Sequence, residues 1–366
     1  MSEWLYRRGF TITNNTLAPA TDFQVKFQVY RTAGTSTATD VYIGTNCLED
    51  FSDIRFTDSS GVYDGCYDYW IETPTTSTVA TCWVEVRYLP ANSATTCYLY
   101  YGNSNGVSAY SSGSYTFPFF EDFLGSAIDT TKWAVIQGLG SGRHAVADSV
   151  LTWTKLPFAI GTSISTFGDE LDLGIRYYEE SPSGGGSGIE WRTTSNEVFQ
   201  IWKDGSNDLV KMFNTAGTGY DVANVSTVYG ITNFVWGLGD WLSVYVGGEK
   251  QGDSYVNTNT PATIRLGNAY YGGDREITTT TYHVDWIYLR KGLSIAPTVS
   301  GWLSSEDLTG DDDLPAGVTQ RPYRIVGIEY DQNKGVFILE FGAVEDYYMT
   351  QDAKYRGAYN NTLSLL

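Results

Sequence analysis

Apolar and polar residues alternate in short runs along most of this chain, and Gly, Asn, Asp, Ser or Pro bounds each run. Runs of this kind predict half-buried β-strands, and the chain has almost no stretch with helical periodicity. The strand-like runs of the first third are Phe23–Tyr30, Asp53–Asp58, Asp68–Glu72, Cys82–Leu89 and Cys97–Asn103. Short strands at this spacing predict an N-terminal β-sandwich over residues 1–117.

A second β-rich segment covers residues 118–297. Its runs read VLTW, ELDLGIRYYEE, GIEWRT, VFQIWKDG, WLSVYVGG, ATIRLGN and YHVDWIYLRK. So many strands in succession predict a jelly roll. The sequence therefore predicts an all-β protein with at least two domains.

The last segment, residues 298–366, opens with the acidic stretch SSEDLTGDDDLPAG and continues as IVGIEYDQNKGVFILEF. The second string predicts two strands joined by a turn at Asp331–Gly335. A segment this short is marginal for an independent core. We therefore expect a small β appendage that packs on the jelly roll or on a neighbouring subunit and mediates assembly.

Composition narrows the range of partners. The 23 Lys and Arg residues against 42 Asp and Glu residues give a net charge of −19, which disfavours nucleic acid as a partner. The least polar long stretch, 229–248, contains Asn233, Asp240 and several glycines, so we expect no membrane insertion. His144 and His283 are the 2 histidines, which disfavours a catalytic triad or a multi-histidine zinc site.

Four cysteines fall in the first third of the chain, and none shows the C-x-x-C spacing of a zinc or redox motif. Cys82 and Cys97 lie in strand-like runs that a turn-like segment, Pro90–Ser93, joins. They would face each other across a hairpin, which leaves Cys47 to pair with Cys66. Free buried thiols are the alternative.

Five ordered motifs carry a resemblance to a known family: W-L-Y-R-R, D-I-R-F, Y-W-I-E, W-V-E-V and Y-L-Y-Y-G-N, which begin at residues 4, 53, 69, 83 and 98. Together they resemble an uncharacterised β-domain family of archaeal and bacterial surface proteins. The segment that follows resembles a laminin-G-like or concanavalin-like jelly roll, which opens with F-E-D-F at Phe120 and closes with V-D-W-I-Y-L-R at Val284. The resemblance covers roughly residues 1–295.

The resemblance implies a secreted or cell-surface module that contacts glycans or proteins. Because the chain begins at Met1 without a signal-like segment, we expect a virion surface protein: a tail-fibre, receptor-binding or capsid-decoration subunit. Its expected partners are other copies of itself, neighbouring virion subunits and a host surface glycan or protein. The alternatives are a secreted or cell-surface carbohydrate-binding adhesin and a purely structural shell or tube subunit.

One strand resembles a catalytic motif. Retaining glycosidases on concanavalin-like folds carry a strand E-x-D-x-E, whose alternate carboxylates face one cleft. Here the string is Glu170-Leu-Asp172-Leu-Gly174, so glycine replaces the last carboxylate. We therefore expect no catalytic residue and no enzymatic activity, and we expect Glu170 and Asp172 to be solvent-facing strand residues.

The resemblance also implies one calcium site. In concanavalin-like jelly rolls the Asp of the closing strand often holds Ca²⁺ with an acid near the opening strand. Asp285 matches that Asp by position, and Glu121 or Asp122 would supply the partner oxygen. The alternative is that Asp285 takes part in a hydrogen-bond network between the terminal strands. We expect no other cofactor.

Glycan binding needs exposed aromatic rings with polar neighbours. Trp191, in E-W-R, and Trp202, in I-W-K-D, have such neighbours and are the candidate sugar platforms. The alternative is that both are core residues of the sandwich, because every second residue of a strand faces inward.

Overall fold

The structure is a computed structural model of the chain. It describes residues 4–59, 66–72, 76–103, 110–137, 143–153, 158–163, 170–180, 186–193, 197–204, 207–224, 230–237, 241–251, 258, 262–268, 281–292, 297–308, 323–331 and 336–343. Most of these residues are in β-strands, and only the short segment Gly113–Thr116 is helical among them, which confirms the all-β fold class. The strands form two β-sandwiches, the second of them a jelly roll, and a small C-terminal β appendage.

The N-terminal sandwich consists of two sheets. Its strands in chain order are β1 Tyr6–Asn14, β2 Ala20–Tyr30, β3 Asp40–Tyr42, β4 Arg55–Thr57, β5 Tyr69–Ile71, β6 Val79–Leu89 and β7 Ser93–Tyr101. Sheet I contains β1, β7 and β4, and sheet II has the order β3-β2-β6-β5. A short helix, α1 (Gly113–Thr116), follows the sandwich.

Alternation along β6 builds the core of this sandwich. Cys82, Val84 and Val86 point inward and are fully buried, whereas Trp83 and Glu85 point to the outer face of sheet II. The pattern that predicts the strand therefore also separates the core face from the outer face.

The cysteine prediction is wrong. All four cysteines are buried and free. Cys82 lies on β6 in sheet II opposite Phe27, whereas Cys97 lies on β7 in sheet I opposite Phe10. The turn after β6 carries the chain from one sheet to the other instead of closing a hairpin, so the two thiols do not face each other across a strand pair.

The jelly roll also has two sheets. Its strands are β8 Phe119–Glu121, β9 Ala134–Gln137, β10 His144–Ala147, β11 Val150–Trp153, β12 Phe158–Ser163, β13 Leu171–Glu180, β14 Gly186–Arg192, β15 Glu197–Asp204, β16 Asn207–Phe213, β17 Gly219–Asn224, β18 Gly230–Gly237, β19 Trp241–Val246, β20 Glu249–Gln251, β21 Thr263–Asn268 and β22 Thr281–Lys291. Sheet III has the order β10-β11-β22-β13-β18-β19-β20, with β8 also on β22. Sheet IV has the order β17-β16-β15-β14-β21-β12-β9. A large apolar core fills the space between the two sheets.

The chain returns to the N-terminal sandwich after the jelly roll. Strands β23 (Thr298–Ser300) and β24 (Glu306–Asp307) both pair antiparallel with β1 and so extend sheet I. Between them Trp302 stacks on Phe10 with ring centroids 4.5 Å apart, and its Nε1 donates a hydrogen bond to the Ala38 carbonyl. We call residues 297–308 the return strap.

An aromatic cluster joins the two sandwiches. Trp70 and Trp83 from the outer face of sheet II meet Trp286 and Tyr288 from the outer face of sheet III, with Phe117 stacked on Tyr288 at 4.6 Å. The N-terminal sandwich thus covers part of the outer face of sheet III. The outer face of sheet IV lies on the opposite side of the jelly roll.

Polar contacts run along the edge of this cluster. Arg290 pairs with Asp172 at 2.6 Å and lies over the Trp83 ring, and Lys291 donates a hydrogen bond to the Thr21 carbonyl at 3.1 Å. Both basic residues belong to the closing strand of the jelly roll, so that strand holds the two domains together.

The C-terminal appendage contains β25 (Tyr323–Asp331) and β26 (Val336–Ala343), which pair antiparallel as the sequence predicts. Residues 309–317 of the predicted acidic stretch lie outside the described residues. The assembly role of the appendage stays a prediction. Within the described part of the chain, no helix combines the length and apolar character that crossing a membrane requires.

Candidate functional site

Strand β14, in the middle of sheet IV, places charged residues on the outer face of the jelly roll. Ile189 and Trp191 point into the core, and both are fully buried. Glu190 and Arg192 alternate with them and therefore lie on the opposite face. Both side chains are nevertheless buried, and polar residues of the neighbouring strands continue the set they begin.

Cross-strand register lines up polar residues on either side of Glu190. Arg265 on β21 and Gln200 on β15 are its direct partners. Lys211 on β16 lies opposite Gln200, and Asp221 on β17 lies opposite Lys211. We call these five residues, which cross five adjacent strands perpendicular to the chain direction, the polar row.

The side chains of the polar row contact one another. Glu190 accepts a hydrogen bond from Gln200 Nε2 at 3.2 Å through Oε1. Its Oε2 lies 2.8 Å from an Arg192 nitrogen and 3.6 Å from an Arg265 nitrogen. At the end of the row, Lys211 Nζ lies 3.3 Å from Asp221 Oδ1. Contacts to a shared carboxylate fix the directions of the arginine side chains.

Exposure rises from Glu190 toward both ends of the row. Glu190 is only 3% exposed, while the side chains of Arg265 and Lys211 are 19% and 25% exposed. Asp221, on the edge strand, reaches 55%. The row therefore has a buried ionic centre with cations beside it that solvent can reach.

The strand that resembles a glycosidase motif lies elsewhere. Asp172 is buried on the outer face of sheet III, where it pairs with Arg290 and accepts a hydrogen bond from Asn233. The prediction that Asp172 faces solvent is wrong, because the N-terminal sandwich covers this face. Glu170 precedes the strand and is partly exposed.

Gly174 is the position where that motif has its last carboxylate. A Cβ atom there would lie 2.2 Å from the ring of Tyr288, which belongs to the aromatic cluster between the domains. Glycine at this position thus allows the packing between the two domains. Position 174 has no room for a carboxylate side chain.

The predicted calcium ligands are close together but have protein partners. Asp285 forms an ion pair with Arg176, and burial raises the pKa of Asp285, with the charge of Asp122 adding to the rise. Glu121 accepts hydrogen bonds from the Phe123 backbone nitrogen at 2.8 Å and the Trp133 indole at 2.9 Å. Within the described ranges, no group of three or more His, Cys, Asp or Glu side chains is arranged to hold a metal ion. Calcium binding stays a prediction.

Glu121 and Asp122 also line a cavity of about 480 Å³ at the junction of the two domains. Trp70 and Ser112 of the N-terminal part line it, as does Lys132 of the jelly roll. Lys132 donates a hydrogen bond to the Phe120 carbonyl at 3.0 Å and lies 3.6 Å from Glu121. The basic group thus already has acceptors in the wall of the cavity.

The two tryptophans proposed as sugar platforms have different positions. Trp191 is 0% exposed and stacks on Phe199 inside the jelly-roll core. It is not available to a sugar, so this half of the prediction is wrong. Trp202 lies on β15 opposite Leu209, and its side chain is outside the described residues, so its role stays a prediction.

The histidines lie apart. His144 stacks on Phe158, and burial lowers its pKa. His283 stacks on Tyr178, and its Nδ1 lies 3.1 Å from the Thr152 hydroxyl. Both belong to sheet III, so neither contributes to the polar row.

Sequence reasoning missed the polar row because its five residues come from five separate strands. One signal was present: Glu190 and Gln200 interrupt apolar strands, in G-I-E-W-R and V-F-Q-I-W. A polar residue between two apolar neighbours marks the outer face of a strand. The register that brings Arg265 and Lys211 beside them depends on pairing between distant segments, which alternation does not encode.

Comparison with known proteins gives one family match. A domain of unknown function, DUF2341, matches residues 50–136, which is less than a quarter of the chain. The matched region runs from the middle of the N-terminal sandwich to β9. No curated protein is significantly similar to the chain in sequence.

Solved structures match just under half of the chain. One is described as "Prominent members of the human gut microbiota express endo-acting O-glycanases to initiate mucin breakdown", with 14% identity, a TM-score of 0.35, and coverage of 48% of this chain and 99% of that one. A second is the alginate lyase AlgAT5 from polysaccharide lyase family 7, with 12% identity, a TM-score of 0.35, and coverage of 45% and 96%. A third is a β-1,3-glucanase from Mycobacterium marinum, with 12% identity, a TM-score of 0.36, and coverage of 47% and 98%.

These matches correct one prediction. We expected no enzymatic activity, but the matched structures include glycoside hydrolases and polysaccharide lyases. The prediction that the protein is not an enzyme is therefore contradicted and is withdrawn. At this level of identity and TM-score, the likeness assigns no activity to this chain, and the jelly-roll fold rests on the strand order of sheets III and IV.

Proposed function

We propose that this protein binds glycans through the outer face of sheet IV and thereby attaches to a carbohydrate-bearing surface. The polar row carries the proposal, because it crosses five strands in register on the side of the jelly roll opposite the N-terminal sandwich. A glycan laid across the strands would meet each member of the row in turn.

The chemistry of the row suits sugars. Each sugar hydroxyl can donate and accept a hydrogen bond, so a glycan site needs donors and acceptors side by side. Gln200 supplies both, while Lys211 and Arg265 supply donors and Asp221 supplies acceptors. The contacts of Glu190 with Arg192, Arg265 and Gln200 order this surface before any ligand arrives, which lowers the entropic cost of binding.

The proposed biological setting is a surface that carries many copies of the protein. Weak contacts at a shallow site become avid when several copies engage the same surface. A virion surface, a secreted or cell-surface adhesin and a structural shell or tube subunit stay as alternative settings. Partner subunits and a host surface protein also stay predictions.

The test uses the full chain and a panel of neutral and acidic polysaccharides in affinity gel electrophoresis. The double variant Gln200→Ala/Lys211→Ala removes two members of the row. We expect it to lose most of the retardation that the wild-type protein shows, a drop of about tenfold in affinity. Reducing-end release and the ultraviolet absorbance of unsaturated sugars, followed on the same mixtures, report whether bound glycan is also cleaved.

A matched control exists on the other sheet. Lys250 and Gln251 on the edge strand β20 supply the same two residue types, so Lys250→Ala/Gln251→Ala makes the same chemical change away from the row. This control should bind like the wild type, and thermal melting should show that both double variants fold. The proposal would be overturned if no polysaccharide changed the mobility of the wild type. It would also be overturned if the row variant and the wild type were retarded equally.

A further inference from the structure

The balance of charge along the polar row differs from that of the whole molecule. The chain has a net charge of −19, with 23 basic and 42 acidic residues. Among the side chains that the structure describes on the row and at its neighbour Arg192, however, three cations face two carboxylates. A local excess of positive charge on a strongly acidic protein favours a ligand that carries negative charge.

The two carboxylates are not equivalent. Glu190 is buried and holds Arg192 and Arg265 in fixed directions. Asp221 is exposed on an edge strand, and exposed ion pairs such as Lys211–Asp221 contribute little to stability. A ligand anion can therefore replace Asp221 as the partner of Lys211 at small cost, while Glu190 stays in place.

The accessible cations are spaced along the row. Arg265 and Lys211 are separated by three strand-to-strand steps, through β14 and β15, or about 14 Å at the usual spacing of strands. A single small anion reaches one of them. An extended chain with acidic groups at intervals reaches both and passes over Gln200, which is 8% exposed and lies between them.

We infer that the polar row binds an anionic glycan, a polysaccharide bearing carboxylate or sulfate groups, through Lys211 and Arg265. The inference rests on the proposed function and specifies its ligand class. The acidic group pairs with each cation, and the hydroxyls between the acidic groups bond to Gln200. Asp221 competes with the ligand for Lys211 and so limits the affinity.

The experiment compares matched polymers that differ only in charge. Polygalacturonate and its methyl-esterified form test carboxylates, and dextran sulfate and dextran test sulfates, all with the full chain and EDTA present. We expect at least one charged polymer to bind about fivefold or more tightly than its neutral partner, and added salt to weaken that binding. The two pairs distinguish carboxylate from sulfate as the recognised group.

Two substitutions at the exposed end of the row should change the affinity for the charged polymer in opposite directions. Lys211→Ala should weaken binding of the charged polymer about fivefold, whereas Asp221→Asn should strengthen it, because Lys211 loses its competing partner. Lys250→Ala, which removes the same charge from β20, should leave binding unchanged. Melting temperatures of the three variants serve as the folding control.

The outcomes separate the inference from the proposed function. Charged and neutral polymers could bind equally well, and Gln200→Ala/Lys211→Ala could lose that binding. The row would then still be the glycan site, but its specificity for anionic glycans would be overturned. Tighter binding of a charged polymer that Lys211→Ala and Asp221→Asn leave unchanged would overturn the assignment to Lys211. Binding of no polymer at all would overturn both.

Discussion

At the scale of single residues, Gly174 determines what its strand can do. The absence of a side chain lets the Tyr288 ring lie directly against the backbone, and that ring contacts Trp83 and Phe117 from the other side of the domain junction. The same absence removes the third carboxylate of the E-x-D-x-E pattern. In the sequence, position 174 looks like a lost catalytic residue. In the structure, it is where the Tyr288 ring packs against the backbone.

Substitution of Gly174 should therefore weaken the whole fold. In Gly174→Ala the new Cβ meets the buried Tyr288 ring, and overpacking of this kind costs about 1–3 kcal/mol. Urea unfolding followed by tryptophan fluorescence measures the loss. The control is Gly9→Ala, whose Cβ meets the end of the exposed, flexible Leu303 side chain and should cost little. Equal unfolding midpoints for Gly174→Ala and the wild type would contradict this account of the glycine.

Residue-level prediction of the candidate site from the sequence was only partly possible. Alternation shows that Glu190 and Trp191 lie on opposite faces of their strand, but it does not say which face is the core. Trp191 was therefore open to either interpretation, and its burial resolves the question. The polar partners of Glu190 come from strands distant in sequence, and their register is set by the fold as a whole.

At the scale of elements, the return strap completes the N-terminal sandwich. Strands β23 and β24 cover the edge of β1 that β7 leaves unpaired. Between them, Trp302 stacks on Phe10 and meets Phe27 edge to face at 5.7 Å. Covering an edge strand also removes a site where other chains would pair. The N-terminal core thus depends on residues that come after the jelly roll.

Truncation of Trp302, the tryptophan of the return strap, should destabilise the N-terminal sandwich. Trp302→Ala removes a large ring that contacts the core, and we expect a loss of about 2–4 kcal/mol. Hydrogen exchange should become faster in β1 and β2 while the jelly-roll core keeps its protection. Ser304→Ala, an exposed change in the same strap, should leave exchange as in the wild type. Unchanged protection of β1 in Trp302→Ala would argue against this role for the strap.

Element prediction from the sequence succeeded for strands and failed for their partners. The runs from Phe23 and from Cys82 fall within β2 and β6, because period-two alternation is a local property. The hairpin expected between Cys82 and Cys97 does not form, because β6 and β7 pair in different sheets. The return of residues 298–307 to β1 has no local signal, since it depends on contacts almost 300 residues apart in sequence.

At the scale of the whole molecule, the two sandwiches meet through aromatic rings and a set of charged groups. Glu85 lies on the outer face of sheet II near Asp22 and Asp68, and Lys291 of the jelly roll lies nearby. Burial and the two neighbouring acids raise the pKa of Glu85 to about 7. The junction therefore contains a carboxyl group that titrates near neutral pH.

This shift predicts how stability depends on pH. A carboxyl with a higher pKa in the folded chain than in the unfolded chain binds its proton more tightly when folded. The stabilisation that this bound proton gives the folded chain is fully present below pH 4.5, the ordinary pKa of the group. It is lost as pH rises through about 7. Glu85→Gln should remove this loss, so the variant should gain stability relative to the wild type at pH 8 by about 1 kcal/mol and show little gain at pH 4.

Thermal melting of both proteins at pH 4, 6 and 8 measures the difference. Glu49→Gln is the control, because that side chain is 75% exposed and its ion-pair partner, Arg31, is not part of the junction. A gain for Glu85→Gln that is the same at every pH would contradict the titration of Glu85 and leave only a packing effect.

The central claim, that the polar row is where this molecule contacts glycan, has one most direct measurement. Hydrogen exchange of the full chain, with and without the polysaccharide that it retains best, locates the contact on the strands themselves. The account predicts slower exchange in β14, β15, β16 and β21, with the outer strands of the N-terminal sandwich unchanged. Slower exchange confined to the domain junction or to sheet I, with the row unaffected, would contradict it.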